Sequence, residues 1–338
     1  MSKKIISVLL VALLVVSLLT TALAGTADGK KIALVAKSAG NAFFEIAAAS
    51  FKEAGEAEGA TIEVVYPETA TADAQIKVLD NLISQMPDAI CIAANDVNAL
   101  QAKLEEAMEM GIKVSSFDSA PNAASRQVFV NQAGTVQVAQ ALMDAILDMA
   151  GGEGEYAILS ATSQAANQNA WIDAMKALMA ADEKYAKLEL VEVAYGDDEP
   201  QKSTDQTQAL LDNYPNLKVI CAPTTVGIAS AAKLLQDKAS AVKLTGLGLP
   251  SEMLEYTGEG KACPYFYLWD MQLLGKLSAY ASIALINGEI TGAVGETFAP
   301  ADLGTFTVTT ADDGGTEIVQ GLPLQFNQEN IEEMAKLY

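Results

Sequence analysis

The stretch Lys31-Ile32-Ala33-Leu34-Val35-Ala36-Lys37-Ser38-Ala39-Gly40-Asn41-Ala42-Phe43-Phe44 decides the fold. Lys31 to Val35 is a short apolar run, as expected of a strand buried on both faces. Phe44, Ala47, Ala48, Phe51 and Ala54 then recur at helical spacing. A strand that feeds a crossover helix is the repeating unit of a parallel sheet.

The unit recurs along the chain. Apolar runs at 61–66, 89–93 and 113–117 predict three more strands, separated by helical stripes such as Ile76, Leu79, Leu82, Ile83 and Met86. Thr71 and Asp73 are both able to cap the start of that stripe. The rhythm restarts with strands at 128–130, 156–159, 188–195, 219–222 and 242–247, and with helices around Trp171, Leu210 and Ile228. Two such sets in series predict an α/β fold of two doubly wound parallel-sheet lobes. A chain of 338 residues also exceeds what one core usually organises.

The first residues read as an export signal. Lys3 and Lys4 precede an apolar run from Ile5 to Leu19, and Ala22-Leu23-Ala24 offers small residues for a cut before Gly25. Residues 1–24 are therefore expected to be a signal peptide, too short for the about 20 apolar residues of a membrane span. Gly25 stands where a lipoprotein would need cysteine. The product is expected outside the cytoplasmic membrane, as a monomer with no membrane insertion after signal removal.

Composition excludes several classes of function. A formal charge of −22 opposes binding to nucleic acid and anionic lipid. Histidine is absent, which removes Ser-His-Asp and Cys-His catalysis and the commonest metal ligand. Cys91, Cys221 and Cys263 are too few and too widely spaced for a disulfide framework, and the first two lie in apolar runs. No catalytic residue, metal ligand or cofactor is expected.

In open α/β sheets, ligands lie beyond the carboxyl ends of the strands. Those positions hold Lys37, Asn41, Phe43 and Phe44 after the first strand, Asp96 after the third and Asp118 after the fourth. The second half adds Asn167 and Gln168 before the Trp171 helix, Pro223 and Thr225, and Trp269. Amides, carboxylates, hydroxyls and one lysine beside aromatic faces suit a polyhydroxylated ring. Helix capping is an equal alternative for Asp96 and Asp118, and core packing is the favoured reading for Phe44 and Trp171. The consecutive amides Asn167, Gln168 and Asn169 exceed what capping needs.

The segments AKSAGNAFF, SFDSA, ILSATSQAANQNAW, APTTVG and TGLGLPSEM resemble the type I periplasmic binding proteins of the ribose-binding-like branch. Within it they are similar to the rhamnose-binding and Lsr-type autoinducer-2 receptor proteins of ABC importers. The resemblance implies a three-segment hinge crossing near 119–122, 269–270 and 304–308. The implied lobes are 30–119 plus 271–304, and 120–270 plus 305–338.

It also implies a small sugar or furanosyl signal molecule as ligand and an ABC permease as partner. The autoinducer-2 pattern matches at Lys37, Asp118, Gln168 and Pro223 and departs at Asn167 and Thr225. A rhamnose-type deoxyhexose is therefore favoured, with autoinducer-2 as the alternative. A carboxylate-based glycosidase and a sensor subunit for a membrane kinase are further alternatives.

Overall fold

The computed structural model describes residues 26–300 and 303–338. The expected signal peptide lies outside the described residues. Strands β1 (Lys31–Val35), β2 (Thr61–Val65), β3 (Ala89–Ile92), β4 (Lys113–Phe117) and β5 (Val128–Ala133) come first. Helices α1 (Ala42–Ala57), α2 (Ala72–Ser84) and α3 (Gln101–Glu109) link β1 to β4.

The second series runs through α4 (Thr135–Met149), β6 (Gly154–Ser160), α5 (Ala166–Ala181), β7 (Leu188–Tyr195) and α6 (Pro200–Asn213). It continues with β8 (Leu217–Ala222), α7 (Thr225–Asp237), β9 (Lys243–Gly246), α8 (Pro250–Met253) and β10 (Tyr265–Leu268). After α9 (Met271–Asn287) come β11 (Thr297–Phe298), β12 (Phe306–Thr307), β13 (Thr309–Thr310), β14 (Thr316–Gly321), β15 (Leu324–Asn327) and α10 (Ile331–Met334).

The strands form two principal sheets. The first has the order β13-β14-β5-β4-β3-β1-β2, parallel except at the β13-β14 edge. The second has the parallel order β7-β6-β8-β9. A bridge from Leu247 to Tyr267 attaches β10, which pairs antiparallel with β15. Central strands β1 and β3 are buried almost throughout, which explains their unbroken apolar sequences.

Helix α1 buries Phe44, Ala47, Ala48, Phe51 and Ala54 along one face. That face meets α9, which returns from far along the chain. Gly275 makes the close approach possible, since a Cβ there would lie 2.1 Å from the Ala47 carbonyl oxygen. Asp270 caps the start of α9 through Leu273 N, and left-handed Gly288 ends it. Thr71 caps α2, one of the two residues expected to do so.

The chain passes between the sheets three times: at Gly134 between β5 and α4, at Trp269-Asp270, and at Gly321–Pro323 between β14 and β15. The crossings expected near 119–122 and 304–308 are displaced along the chain, because β5 adds beside β4 and β14 adds beside β5 before the chain leaves the first sheet. Residues 128–133 and 309–321 thus lie in the first sheet, although the expected boundaries put them with the second lobe. Gln320 Nε2 donates to the Asp270 carbonyl at 2.8 Å, tying two of the crossings together.

Candidate functional site

The carboxyl ends of both parallel sheets face one narrow cleft, with about 40 Å3 of free space between its walls. Lys37, Asn41, Phe43, Phe44, Asp118, Asn167, Gln168, Pro223, Thr225 and Trp269 all line it. Asp96 does not. Its Oδ1 accepts from Asn98 N at 2.7 Å and Ala99 N at 2.8 Å, so its carboxylate closes the turn after β3.

The ends of β1 and β3 are held by buried amides. Gln75 Nε2 donates to the carbonyls of Ala36 and Ala93, and its Oε1 accepts from Asn95 N. Asn95 in turn donates to the Lys37 carbonyl at 2.9 Å. Lys37 is thereby fixed at the cleft with its side chain buried. Asn41 caps α1 by accepting from Phe43 N at 3.0 Å, so here capping and lining the cleft coincide.

Asp118 is 4% exposed and has φ +57°, a left-handed conformation uncommon outside glycine. It sits at the centre of a three-residue turn in which Ser119 N donates to Phe117 O. Gln132 Nε2 holds its carbonyl at 3.0 Å. The turn aims the carboxylate at Lys37, whose Nζ is 3.6 Å from Asp118 Oδ2. Burial pushes this carboxyl above the ordinary aspartate range, and Lys37 partly opposes the shift.

Asn167 completes the contact across the cleft. Lys37 Nζ donates to its Oδ1 at 3.1 Å, while its Nδ2 donates to Asp118 Oδ2 at 3.3 Å. Gln168 Oε1 accepts from Ser160 Oγ and Ala161 N, both at 2.7 Å, which pins α5 to the end of β6. Thr224 caps α7 and donates its hydroxyl to Asp198.

Aromatic rings form the remaining wall. Phe43 meets Phe44 edge-on at 5.0 Å and Trp269 at 6.2 Å, and Trp171 lies 5.8 Å from Trp269. Trp269 Nε1 is buried with no partner among the described residues, a donor available to a ligand. Trp171 and Phe44 are both core residues and cleft residues.

The strand-end survey missed Asp198, Leu247 and Leu268. Asp198 follows β7 in Gly196-Asp197-Asp198, and extending the survey to that strand end would have found it. Its φ is +54°, and burial raises its carboxyl while Thr224 and Lys37 act in the opposite direction. Leu247 and Leu268 also stand at strand ends, but an apolar side chain there carries no polar signal. All three cysteines are free and buried, and burial raises the thiols of Cys91 and Cys263 to about 12. Among the described residues no acidic, cysteine or histidine cluster is arranged to hold a metal ion. No helix of the described residues is long and apolar enough to cross a membrane.

Residues 32–290 match the family model described as a periplasmic binding protein domain. An ABC transporter solute-binding protein from Clostridium phytofermentas, solved with bound L-rhamnose, is 55% identical, with TM-score 0.91 over 92% of this chain and 100% of that one. A sugar ABC transporter structure from Actinomyces odontolyticus is 38% identical, with TM-score 0.72 over 92% and 99%. LsrB from Clostridium saccharobutylicum in complex with AI-2 shares the fold, at 22% identity and TM-score 0.82 over 90% and 99%. With two parallel sheets meeting at one cleft and these matches along its length, the chain belongs to the periplasmic binding protein family and has its type I fold.

Proposed function

We propose that this chain is the extracytoplasmic substrate-binding protein of an ABC sugar importer, with a deoxyhexose of the L-rhamnose type as its ligand. The observation that carries the reading is the 55% identity to a protein solved with L-rhamnose, over the whole of that chain. The cleft supports it. The charge of Lys37 acts on both Asp118 and Asp198, which line the same cleft, so a neutral ligand fits better than an anion. In this reading Asp118, Asn167 and Lys37 exchange their mutual contacts for ring hydroxyls, and Trp269 Nε1 gains an acceptor. Phe43 offers an aromatic face, while Leu247 and Leu268 suit the methyl group that distinguishes a deoxyhexose.

The ligand then bridges the ends of both sheets and favours the closed arrangement of two lobes turning about the three crossings. The closed monomer presents both lobes to the permease. Binding and release, rather than turnover, account for a cleft whose carboxylates are braced by lysine, amide and hydroxyl groups. Autoinducer-2 is the second reading, favoured by Lys37, Asp118, Gln168 and Pro223 and disfavoured by Asn167 and Thr225.

A thermal-shift panel of L-rhamnose, ribose, other pentoses and autoinducer-2 tests the choice. A ligand of the folded state alone raises Tm, by the equivalent of about 2.7 kcal/mol at a hundredfold excess over Kd. L-rhamnose is expected to give the largest shift. A shift with autoinducer-2 and none with L-rhamnose overturns the assignment.

A further inference from the structure

A second cavity, of about 180 Å3, lies beside the cleft. Asp118, Asn167 and Trp171 line both. Its other walls are the β5 residues Phe129, Asn131 and Gln132, Glu317 of β14, and Ala166 and Ala170 of α5.

Two buried polar atoms on residues of this cavity have no partner among the described residues: Arg126 Nε, a donor, and Gln132 Oε1, an acceptor. Arg126 and Gln132 are 6% and 1% exposed. The terminal nitrogens of Arg126 are already engaged with the Asp313 carboxylate at 2.8 and 2.9 Å, and one of them also with the Pro121 carbonyl. Asn131 Nδ2 donates to Glu317 at 2.8 Å, and burial followed by Asp312 raises that carboxyl even so. Leaving such groups unpaired is costly, so the cavity calls for a molecule that both donates and accepts.

The charge of the walls narrows the class. Asp118, Asp312, Asp313 and Glu317 outnumber Arg126, the single cation of the lining, so an anionic group is disfavoured. Hydroxyls can donate to Glu317 and Gln132 and accept from Arg126, while Trp171 and Phe129 provide ring faces. The chemistry of the first cleft is repeated beside it. Asp118 and Asn167, which line both cavities, touch each other from Asn167 Nδ2 to Asp118 Oδ2 at 3.3 Å, a contact that a linking oxygen can replace.

We infer that the two cavities form one extended site whose preferred ligand is a neutral glycoside of a deoxyhexose, with the deoxyhexose in the first cavity and its substituent in the second. The inference rests on the sugar reading of the first cavity. It goes further in making the free monosaccharide the smaller of two accepted ligands.

Calorimetric titration with L-rhamnose and with rutinose, in which L-rhamnose is linked to glucose, tests it. Two variants accompany the wild type: Glu317→Gln, and Ala170→Phe, which fills the second cavity from an exposed helix position. Rutinose is expected to bind the wild type about tenfold or more tightly than L-rhamnose, equivalent to about 1.4 kcal/mol. Both variants are expected to lose that gain while keeping their affinity for L-rhamnose. If rutinose binds more weakly than L-rhamnose, or its gain survives both variants, the extended site is refuted and the deoxyhexose reading stands. If neither sugar binds, both readings fall.

Discussion

Replacing Asp118 with asparagine separates what this residue does for the fold from what it does for the ligand. At φ +57° the position strains most side chains, and alanine in that conformation costs roughly 1–2 kcal/mol. Asparagine adopts it readily, so Asp118→Asn preserves the turn and the shape while removing the charge. In the unliganded protein that charge is unfavourable, because burial raises the carboxyl despite Lys37 at 3.6 Å. A raised folded-state pKa means the native protein holds its proton longer than the unfolded chain does. Wild-type stability therefore falls as pH climbs from the ordinary aspartate value through the raised one, and the penalty is complete above it.

The variant lacks this penalty and should have a slightly higher Tm than wild type at neutral pH without ligand. Its affinity should move the other way. Hydrogen bonds from ring hydroxyls to a buried carboxylate contribute about 1.5–3 kcal/mol, so L-rhamnose should bind roughly 10- to 150-fold more weakly. Thermal melts across pH and calorimetric titration measure the two effects on one preparation. Unchanged affinity refutes the role of Asp118 in binding, and a lowered unliganded Tm refutes the electrostatic account of its burial.

Removing the lysine should have the opposite structural effect. Lys37→Met leaves Asp118 and Asp198 without their buried cation and should cost about 3–5 kcal/mol in urea unfolding; combining it with Asp118→Asn should recover part of the loss. Asp96→Ala should cost about 0.5–2 kcal/mol by uncapping its turn and leave sugar affinity unchanged, since Asp96 lies outside the cleft. Gly275→Ala places a methyl group against the Ala47 carbonyl between α1 and α9 and should lower stability by about 1–3 kcal/mol, read from the denaturation midpoint.

Most of the cleft was legible because parallel α/β architecture makes strand ends predictable. The run Lys31–Val35 is apolar enough to be a central strand, and that alone places Lys37 at the site. Asp118 follows in the same way from Lys113–Phe117, and Asn167-Gln168 from the junction of β6 and α5. Asp96 obeys the same rule and yet serves only its turn, because the geometry that exposes a strand-end carboxylate to a ligand also brings it near free backbone N–H groups.

The crossings were less legible for a different reason. The run Val128–Val130 declares itself a short strand but does not state which sheet it joins. That choice depends on Glu317↔Phe129 and its neighbouring pairs, formed with a segment near the other end of the chain. Asp198 belongs to a similar case, since its relation to Lys37 arises only when the ends of both sheets meet. The second cavity likewise joins Arg126 and Gln132 to Glu317, and no local pattern announces such a combination.

The most direct test of the central claim is calorimetric titration of residues 25–338 with L-rhamnose, with autoinducer-2 titrated in parallel. One-to-one saturable binding of L-rhamnose, tighter than that of autoinducer-2 and abolished or strongly weakened by Asp118→Asn, is the predicted result. Saturation by autoinducer-2 with no heat from L-rhamnose would contradict the account.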